Sequence, residues 1–432
     1  MEETREERIE HLTEEFRKLL EEKFPEKGSA LDRIEELTEE IGKAIEEKIE
    51  DSATKQEGTG YVGRHATCEC GNAARYVRVY EKEVVTLHGL RVIPRAYYHC
   101  KVCGKGIAPL DAAMELDRGA TSLRVRGKIA RLAALTPFGR GSNELMELCG
   151  IEVSAKTFER VSEHVGKNIG RELAEAEEHI LSGLADSPEV APERLYVTVD
   201  GVTVPVGKGY RECKVGAVYE ASVGCNAEVA ARDVEHVATM GDAEAIGDRV
   251  YCAAFRRGVE RAKEVIVVAD GGRWIWKQAR QNFPGCVEIL DFYHAAEHLG
   301  EVARAWHGAE SPKADRWLDR CKADLLEGRF ERVMKSMRAW KPVDPEHLKL
   351  KSDNIGYFNR NKKRMRYDQF RAHGMHIGSG IAESSCKCLV QARLKQSGMH
   401  WTEDGAESIL QLRRLWMDVP SADFAQYARM AA

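Results

Sequence analysis

Residues 194–206 read RLYVTVDGVTVPV, and two stretches of the same kind follow, EVIVVADGGRWIWKQA at 264–279 and CVEILDFYHAAEHLG at 286–300. Each contains a near-continuous run of Val, Ile and Leu that reaches an acidic residue. These acids are Asp200, Asp270 and Asp291. Such runs predict strands that are covered on both faces. Helical sequence separates them, so we expect an α/β sheet whose functional sites lie at the carboxyl ends of its strands.

The acids lie where the strands are expected to end. We expect the first strand to end at Asp200, where a turn leads into a second strand, and a third strand over 213–223. Asp270 is followed by Gly-Gly and a helix, and Asp291 by a helix that carries His294. The pattern therefore places Asp200 and Asp270 at neighbouring strand ends.

A third acid, Glu383, is predicted in the first turn of a helix that follows Gly-Ser-Gly at 378–380, where the helix dipole favours the ionised carboxylate. With Asp200 and Asp270 it would complete a site for two Mg²⁺ or Mn²⁺ ions, which prefer oxygen ligands. Two such ions can promote phosphoryl transfer at a phosphodiester. Each acid alone has a simpler explanation, because Asp before Gly often closes a strand with a turn. A first-turn Glu often only complements the helix dipole.

The order of the acids, on a first strand, a fourth strand and a late helix, resembles the RNase H-like DDE transposases. Longer segments resemble the bacterial insertion-sequence transposases of the Kra type, in the Mutator-like group. These segments are VTVDGVTVP, VVADGGRWIW, FPGCVEILDFYHAAEHL, IGSGIAESSCKCLVQARLKQSGMHW and AESILQLRRLW. The segment RAYYHCKVCGKGIAPLD resembles their N-terminal part, so the resemblance extends from about residue 60 to the C-terminus.

The resemblance implies an RNase H-like domain with an all-helical insertion before the Glu-bearing helix, matched here by helical sequence at 295–375. It also implies an acid-x-x-His motif beside the triad that helps to position DNA, matched by Asp291 and His294. Without the resemblance, a strand-end Asp and a hydrogen-bonded helix His would explain this pair. Related transposases stack a flipped base on an insertion aromatic. The insertion holds three tryptophans that are more simply explained as core residues: Trp306, Trp317 and Trp340.

The expected activity is transposition, in which the protein binds terminal inverted repeats, hydrolyses the strand at each element end and joins the 3′-hydroxyl to target DNA. We expect a homodimer or higher oligomer on DNA. Two alternatives stay open. One is another RNase H-like nuclease, such as a junction resolvase or RNA-cleaving enzyme, which needs no inverted-repeat recognition. The other is a non-catalytic zinc-ribbon DNA-binding protein derived from a transposase.

Cysteine pairs with metal-ligand spacing lie at Cys68 and Cys70 and at Cys100 and Cys103. Between the pairs, β-branched and aromatic residues alternate around a turn at 88–89, which predicts a hairpin. Two cysteine pairs that close on a hairpin predict a zinc ribbon with one structural Zn²⁺. The alternative is four unmetallated thiols, since the Cys-x-Cys spacing is tighter than usual.

Helices are predicted on both sides of this ribbon. Residues 1–50 predict two amphipathic helices separated near Pro25 and Gly28, either packed on their own chain or serving as a self-association arm. Residues 52–64 are polar and Gly-rich and predict a linker. Residues 120–182 predict a helical region.

Within this helical region, a short helix, a turn at Gly150 and a helix capped by Ser154 resemble a helix-turn-helix. In this interpretation Lys156 and Arg160 contact DNA. Any helical bundle can produce the same pattern, so the interpretation depends on the rest of the chain.

The net charge of −5 is unevenly distributed. Residues 1–57 contain 20 acidic and 10 basic residues, whereas residues 360–395 contain nine basic and two acidic ones. A local basic stretch suits a phosphate backbone, although such stretches are often only solvated faces. We predict DNA contacts for the basic residues that follow Glu383, namely Lys387, Arg393 and Lys395. Lys387 is four residues beyond Glu383 and could pair with it instead.

These observations predict six segments. They are a helical N-terminal arm at 1–57, a zinc ribbon at 58–118, a helical DNA-binding region at 119–190, the first part of the RNase H-like domain at 191–294, an all-helical insertion at 295–376 and the last part at 377–432. The composition, 43% hydrophobic and 31% charged, is that of a globular protein. With no long apolar run and an acidic N-terminus, we expect a cytoplasmic, nucleoid-associated bacterial or archaeal protein without disulfides or membrane contact.

Overall fold

The computed structural model describes residues 5–23, 31–116, 119–223 and 229–429. It is a mixed α/β protein with 56% helix and 19% strand. The chain divides into two compact units, Met1–Ser122 and Leu123–Ala432. Among the described residues, no helix has the length and apolar character needed to span a membrane.

The first unit combines two long helices with a four-stranded antiparallel sheet in the order β1-β2-β3-β4. Its elements are α1 (Arg5–Lys23), α2 (Leu31–Gln56), β1 (His65–Thr67), β2 (Ala73–Thr86), β3 (Gly89–His99), β4 (Gly106–Ile107) and α3 (Pro109–Ala113). The hairpin predicted around residue 88 is confirmed, because β2 and β3 pair up to Thr86 and Gly89. Gly89 has a φ of +108°, a backbone conformation that favours glycine at this tight turn.

Helix α2 is longer than the sequence predicts. The predicted linker at 52–64 is wrong in its first part, because α2 continues to Gln56. An ion pair of 2.6 Å between Lys55 and Asp51, one turn apart, supports this last turn. None of the residues of α2 is fully buried, although Ile41 and Ile45 are half-buried and Glu50 accepts a hydrogen bond of 2.6 Å from the Thr86 hydroxyl. The predicted break at Pro25 and Gly28 lies outside the described residues.

The second unit contains a five-stranded sheet and most of the helices. Its strands are β5 (Arg194–Val206), β6 (Gly209–Val223), β7 (Val229–Thr239), β8 (Glu264–Ala269) and β9 (Val287–Leu290). Its longer helices are α4 (Leu123–Ala133), α5 (Phe138–Cys149), α6 (Ala155–Leu181), α7 (Ala243–Arg256), α8 (Arg273–Asn282), α9 (Phe292–His307), α10 (Pro312–Leu326), α11 (Phe330–Ala339), α12 (Pro345–Asn361), α13 (Tyr367–Ala372), α14 (Gly380–Ser385) and α16 (Glu403–Asp418). A π-helix (Cys386–Gln391) and a short α15 (Ala392–Leu394) continue α14 without a break.

The sheet of the second unit has the strand order β7-β6-β5-β8-β9. Strands β5, β6 and β7 pair antiparallel, whereas β8 and β9 pair parallel to β5 and to each other. The inner residues of β5 and β8 are almost fully buried under helices on both faces. This burial explains their near-continuous aliphatic sequence.

The first strand differs from its prediction. We expected a strand end and a turn at Asp200, but β5 runs without interruption from Arg194 to Val206 and the turn comes at Gly207. Asp200 and its neighbour Gly201 keep their ladder partners on β6, so no turn can form there. Strand β7, which the sequence did not predict, pairs along β6 at the sheet edge.

Helices α4, α5, α6 and α16 pack together beside the sheet. The predicted cap is confirmed, since the Ser154 hydroxyl accepts a hydrogen bond from the Thr157 N–H at 3.1 Å. Gly150 ends α5 with a φ of +64°. Gly166 lets α6 touch α16 closely, because a Cβ at this position would lie 2.1 Å from the Ser408 carbonyl oxygen. The crossing of these two helices therefore depends on a glycine.

Between β9 and α14 the described chain forms only helices, α9 to α13 and short 3₁₀ turns. Its three tryptophans lie in the core, as expected. Trp317 and Trp340 are each 4% exposed, and the half-buried Trp306 packs on both, with ring centroids 5.9 and 6.2 Å away. The Trp317 indole donates a hydrogen bond of 2.8 Å to Ser336 Oγ. These rings hold the helices together and are not offered to a ligand.

Candidate active site and metal centre

Three acids follow one another across the sheet at the same level. Val199 on β5 pairs with Ala269 on β8, and Ala269 pairs with Leu290 on β9. The next residue on each strand is an acid: Asp200, Asp270 and Asp291. Since neighbouring strands lie about 4.8 Å apart, these three residues form a row, which we call the acid row. Asp291 N–H still donates to the Ala269 carbonyl at 2.8 Å, so the row is held by the main chain.

Asp200 accepts two hydrogen bonds through its carboxylate. Its Oδ1 accepts a hydrogen bond from the Gly201 N–H at 2.7 Å, and its Oδ2 accepts one from the Cys386 thiol at 3.4 Å. Burial raises the pKa of Asp200, and the negative charge of Asp270 raises it further, although these two hydrogen bonds and His294 act in the opposite direction. A cation between Asp200 and Asp270 would favour the ionised form of Asp200.

Asp270 lies in a tight turn between β8 and α8. Its Oδ1 accepts a hydrogen bond of 2.9 Å from the Gly272 N–H. Its main-chain carbonyl accepts a second one of 2.6 Å from the Tyr357 hydroxyl, which belongs to α12. Gly271 between them has a φ of +100°, which favours glycine. Asp270 lies close enough to Asp200 for its charge to raise the pKa of Asp200.

Asp291 has a different role from the other two acids, because its carboxylate is 4% exposed and fully engaged. Its Oδ1 caps α9 by accepting from the Tyr293 N–H at 2.6 Å and the His294 N–H at 3.0 Å. Its Oδ2 accepts from the Ser379 N–H at 2.6 Å and also from the Ser379 hydroxyl. Asp291 therefore joins the end of β9 to the loop from which α14 begins.

Glu383 lies on α14, which packs against β5 and β6, but its side chain is exposed. It is 69% exposed and forms an ion pair of 2.5 Å with Lys387, one turn along. Among the described residues, only four cysteines bring three or more ligand atoms within 4.8 Å of one another. The structure thus brings Asp200 and Asp270 together and leaves Glu383 outside, paired with Lys387 as the alternative interpretation expected.

The predicted His294 lies beside the acid row, in the first turn of α9. Its ring is about one-third exposed, forms an ion pair of 3.4 Å with Glu297 and meets His298 edge-on at 5.1 Å. It is close enough to Asp200 to lower the pKa of that carboxyl. His298 stacks on Tyr357 with ring centroids 4.1 Å apart and hydrogen-bonds Asn354 through Nδ1 at 2.9 Å. These rings form the wall of the acid row on the α12 side.

The predicted DNA contact at Arg393 is wrong. Its side chain is fully buried, with Nε donating 2.7 Å to the Ala133 carbonyl and the guanidinium 5.0 Å from the Phe138 ring and 5.1 Å from the Trp401 ring. Burial lowers the pKa of Arg393 to about 10. A guanidinium in this place cannot reach a phosphate and instead stabilises the C-terminal end of α4.

The other predicted DNA contacts lie at the surface. Lys395 and Arg160 are exposed. Lys156 is also exposed but pairs with Glu159 at 2.9 Å, and Lys387 pairs with Glu383. Ion pairs between exposed side chains contribute little, so both lysines could exchange their partner for a phosphate at small cost.

The four predicted cysteines lie together in the first unit. Cys68 Sγ is 3.5 Å from Cys103 Sγ, and Cys70 Sγ is 3.7 Å from Cys100 Sγ. Cys68 and Cys70 lie in one tight turn, in which Gly71 N–H donates to the Cys68 carbonyl at 2.9 Å. Cys100 and Cys103 lie in another, in which Gly104 N–H donates to the Cys100 carbonyl at 2.9 Å. All four sulfurs lie within 4.8 Å of one another, an arrangement that could hold a structural metal such as zinc.

The pKa values of two of these thiols shift in opposite directions. Hydrogen bonds from Asn72 lower the pKa of Cys70 to about 6. A backbone hydrogen bond from Lys105 lowers the pKa of Cys103, but burial and the neighbouring thiols prevail and raise it to about 12. A divalent cation bound by the cluster would stabilise the thiolate form of its ligands.

Residues that the sequence did not single out complete this site. Cys386 and Ser379 lie within the motif around Glu383, so their proximity to it was a usable signal. Tyr357 lies 87 residues beyond Asp270 in a helical stretch without any motif, and no sequence signal marks it.

A scan against protein-family models found no match for this chain, and a search of curated proteins found none either. The function therefore has to be argued from the geometry of the acid row and the cysteine cluster, together with the motifs that surround them.

Proposed function

We propose that this chain is a DNA transposase of the DDE class, of the Kra type in the Mutator-like group, with an RNase H-like catalytic domain. The observation that carries the proposal is the adjacency of Asp200, on β5, and Asp270, directly after β8; along the chain these are the first and fourth strands of the five-stranded sheet. The resemblance to these transposases implies a carboxylate pair on those two strands. The helix bearing Glu383 supports it, because that helix begins at a loop tied to Asp291.

Asp200 and Asp270 suit a hard divalent cation, Mg²⁺ or Mn²⁺. Both offer carboxylate oxygens, and they follow paired residues on neighbouring strands. When two such ions are bound, they supply an activated attacking oxygen and a stabilised leaving oxygen at the scissile phosphate. Glu383 completes the ligand set by exchanging its exposed pairing with Lys387 for the acid row.

The remaining residues of the site hold the acids and the DNA. Gly272 orients the Asp270 carboxylate through its N–H. Asp291 fixes the entry to α14, and His294 faces the strand that enters the site. Lys387, once released from Glu383, is free to pair with a phosphate beside the scissile bond.

The rest of the chain serves recognition of the element ends. The cysteine cluster, loaded with structural zinc, and the α5–α6 pair with Lys156 and Arg160 bind the terminal inverted repeats. A transposase acts on two element ends and target DNA, so we propose a homodimer or higher oligomer on DNA. It works in the cytoplasm of a bacterium or archaeon, on the nucleoid.

The proposal is tested with a plasmid that carries the DNA flanking the gene on both sides. Wild-type protein with Mg²⁺ should nick or cut it at the element ends. Asp200→Asn, Asp270→Asn and Glu383→Gln should each lose at least 100-fold in cleavage rate while still shifting the same DNA on a gel. The matched control is Glu264→Gln, at the opposite end of β8, where the carboxylate pairs with Arg194 at 2.7 Å. Near-normal cleavage by any acid-triad variant would refute the assignment.

The other functions predict different results. A resolvase or RNA-cleaving enzyme would cut branched DNA or an RNA–DNA hybrid faster than the flanking DNA, and without joining 3′-hydroxyls to a target. A non-catalytic relative would bind the flanking DNA with no cleavage in either Mg²⁺ or Mn²⁺. The exposed position of Glu383 is the observation that favours this last alternative.

A further inference from the structure

Two tyrosines from the helices between β9 and α14 reach the ends of β8 and β9. The Tyr357 hydroxyl, from α12, donates a hydrogen bond of 2.6 Å to the main-chain carbonyl of Asp270. The Tyr367 hydroxyl, from α13, donates one of 3.0 Å to the carbonyl of Leu290, the residue before Asp291. The parallel ladders stop at this level, so these carbonyls have no further strand to pair with. The tyrosines supply the missing donors.

Tyr357 is held firmly for this task. Its ring stacks on His298 at 4.1 Å with an interplanar angle of 27°. On the other side it packs on the turn after Asp270, where a Cβ on Gly271 would lie 3.0 Å from the Tyr357 ring and 2.9 Å from Leu290. The ring therefore limits how far the turn can move, and the hydroxyl fixes the peptide of Asp270 itself.

The Tyr357 hydroxyl donates its single proton to the main-chain carbonyl of Asp270. A neutral, buried donor on a main-chain carbonyl constrains position without adding charge beside the carboxylates.

We propose that Tyr357 is a positioning residue, which sets the position of the Asp270 carboxylate in the acid row. Helix α12, which carries Tyr357, thereby contributes to the site. The inference rests on the proposed function, because it concerns the affinity of the acid row for a divalent cation. It assigns the helical segment between β9 and α14 a role within the metal site, separate from any contact with DNA.

The test measures Mn²⁺ binding to zinc-loaded protein without DNA, by the electron paramagnetic resonance signal of free Mn²⁺. Tyr357→Phe keeps the ring and removes only the hydroxyl. Loss of an outer hydrogen bond to a ligand group typically weakens metal binding about 10- to 100-fold, so we expect at least a tenfold higher dissociation constant. Urea unfolding of the same variant shows that it is folded.

Two matched tyrosines separate positioning from stability. Tyr219→Phe removes a buried hydroxyl that has no hydrogen-bond partner among the described residues, and should change neither Mn²⁺ affinity nor stability. Tyr367→Phe removes the bond to Leu290, and should lower stability with less than a threefold effect on Mn²⁺ affinity. A merely structural role for Tyr357 would give the Tyr367→Phe result.

Asp270→Asn distinguishes the two levels of the argument. If it binds Mn²⁺ as wild type does, the acid row is not the metal site, and the proposed function fails together with this inference. If Asp270→Asn loses Mn²⁺ while Tyr357→Phe binds as tightly as wild type, the proposed function stands and the role of Tyr357 is overturned. A tenfold loss in Tyr357→Phe alone among the three tyrosine variants supports it.

Discussion

Replacing Asp291 by alanine is expected to be among the most destabilising changes in the second unit. The carboxylate accepts four hydrogen bonds while 4% exposed, two within the first turn of α9 and two from Ser379. The substitution removes the helix cap and the connection to Ser379 at once. It also leaves buried N–H groups without an acceptor, which costs more than losing a solvated bond.

The magnitude is the sum of these two parts. Loss of an Asp cap costs about 1 kcal/mol. A hydrogen bond to a charged group contributes about 1.5–3 kcal/mol, and two of these join Asp291 to Ser379, partly offset by the recovered solvation of the carboxylate. We therefore expect the free energy of unfolding to fall by about 3–5 kcal/mol, the range for breaking a buried charged network.

Asp242→Ala is the matched control. Asp242 caps α7 with the same pair of hydrogen bonds, to Glu244 N–H at 3.1 Å and Ala245 N–H at 2.9 Å, but it is exposed and holds no second segment. It should cost only about 1 kcal/mol. The difference of about 2–4 kcal/mol between the two variants isolates the contact with Ser379.

Urea unfolding followed by tryptophan fluorescence measures both variants. All seven tryptophans lie at or beyond Trp274, so the signal reports only the unit Leu123–Ala432. Ser379→Ala should give an intermediate loss, and the double variant should show strong non-additivity with Asp291→Ala. Equal losses for Asp291→Ala and Asp242→Ala would show that the Ser379 contact contributes nothing.

Three further predictions concern the cysteines, the acid row and the basic stretch. By elemental analysis, wild-type protein should hold about one zinc per chain. Cys103→Ser should lose most of this zinc, and the control Cys149→Ser should lose none. Unchanged zinc content in Cys103→Ser would contradict the site. Asp200→Asn should raise the urea midpoint at pH 7 without added metal. The folded protein holds the Asp200 proton more tightly than the unfolded chain does, so ionisation costs about 1.4 kcal/mol per unit of raised pKa. The gain in stability of Asp200→Asn should be full above the raised pKa of Asp200 and vanish as the pH falls below the ordinary pKa of an aspartate. A gain that does not depend on pH would show that the Asp200 charge is not its cause. Arg393→Ala should lower the free energy of unfolding by about 2–5 kcal/mol and leave the salt dependence of DNA binding unchanged. Lys395→Ala should leave the free energy of unfolding unchanged and lower the slope of DNA affinity against salt by roughly one unit. The reverse pattern would restore Arg393 as a DNA contact.

The parts of the site that the sequence predicted are those set by local chemistry. A buried strand needs a continuous aliphatic run, and an acid directly after such a run marks its end, so Asp270 and Asp291 were visible. Parallel pairing then places strand ends at one edge of the sheet, which predicted the proximity of Asp200 and Asp270. The cysteine cluster was visible for a similar reason, because each pair is closed by its own tight turn.

The error at Arg393 has a definite physical cause. The prediction treated the segment after Glu383 as one regular α-helix, but Cys386–Gln391 forms a π-helix, whose turn includes one more residue. The extra residue rotates the remaining turn of the helix, and Arg393 enters the core beside Phe138 and Trp401. No local sequence signal marks the π-helix. Two hydrogen bonds hold it, from Cys386 to Asp200 and from Arg413 to the Cys388 carbonyl, and no local sequence signal marks these either.

Other features depended on contacts between distant segments. Strand β7 lies at the edge of the sheet. Several of its residues are exposed or half-buried, and its sequence therefore lacks a continuous aliphatic run. Strand β5 continues past Asp200 because β6 pairs with it across Gly201, although Asp-Gly alone favours a turn. Tyr357 reaches Asp270 only because α12 packs against α9, and tertiary packing of this kind leaves no motif.

Because β5 is unbroken, the main chain is not held equally firmly at each residue of the acid row. Asp200 is in the interior of a ladder, with Val199, Gly201 and their partners bonded on either side, so its main chain can separate only when the sheet itself opens. Asp270 lies outside the strands, in a turn, and turns open locally. Amide hydrogens around Asp200 should exchange with solvent as slowly as global unfolding allows, and those of residues 270–272 much faster. Asp200 is thus held by the sheet itself, whereas the place of Asp270 depends on its turn and on the Tyr357 hydroxyl.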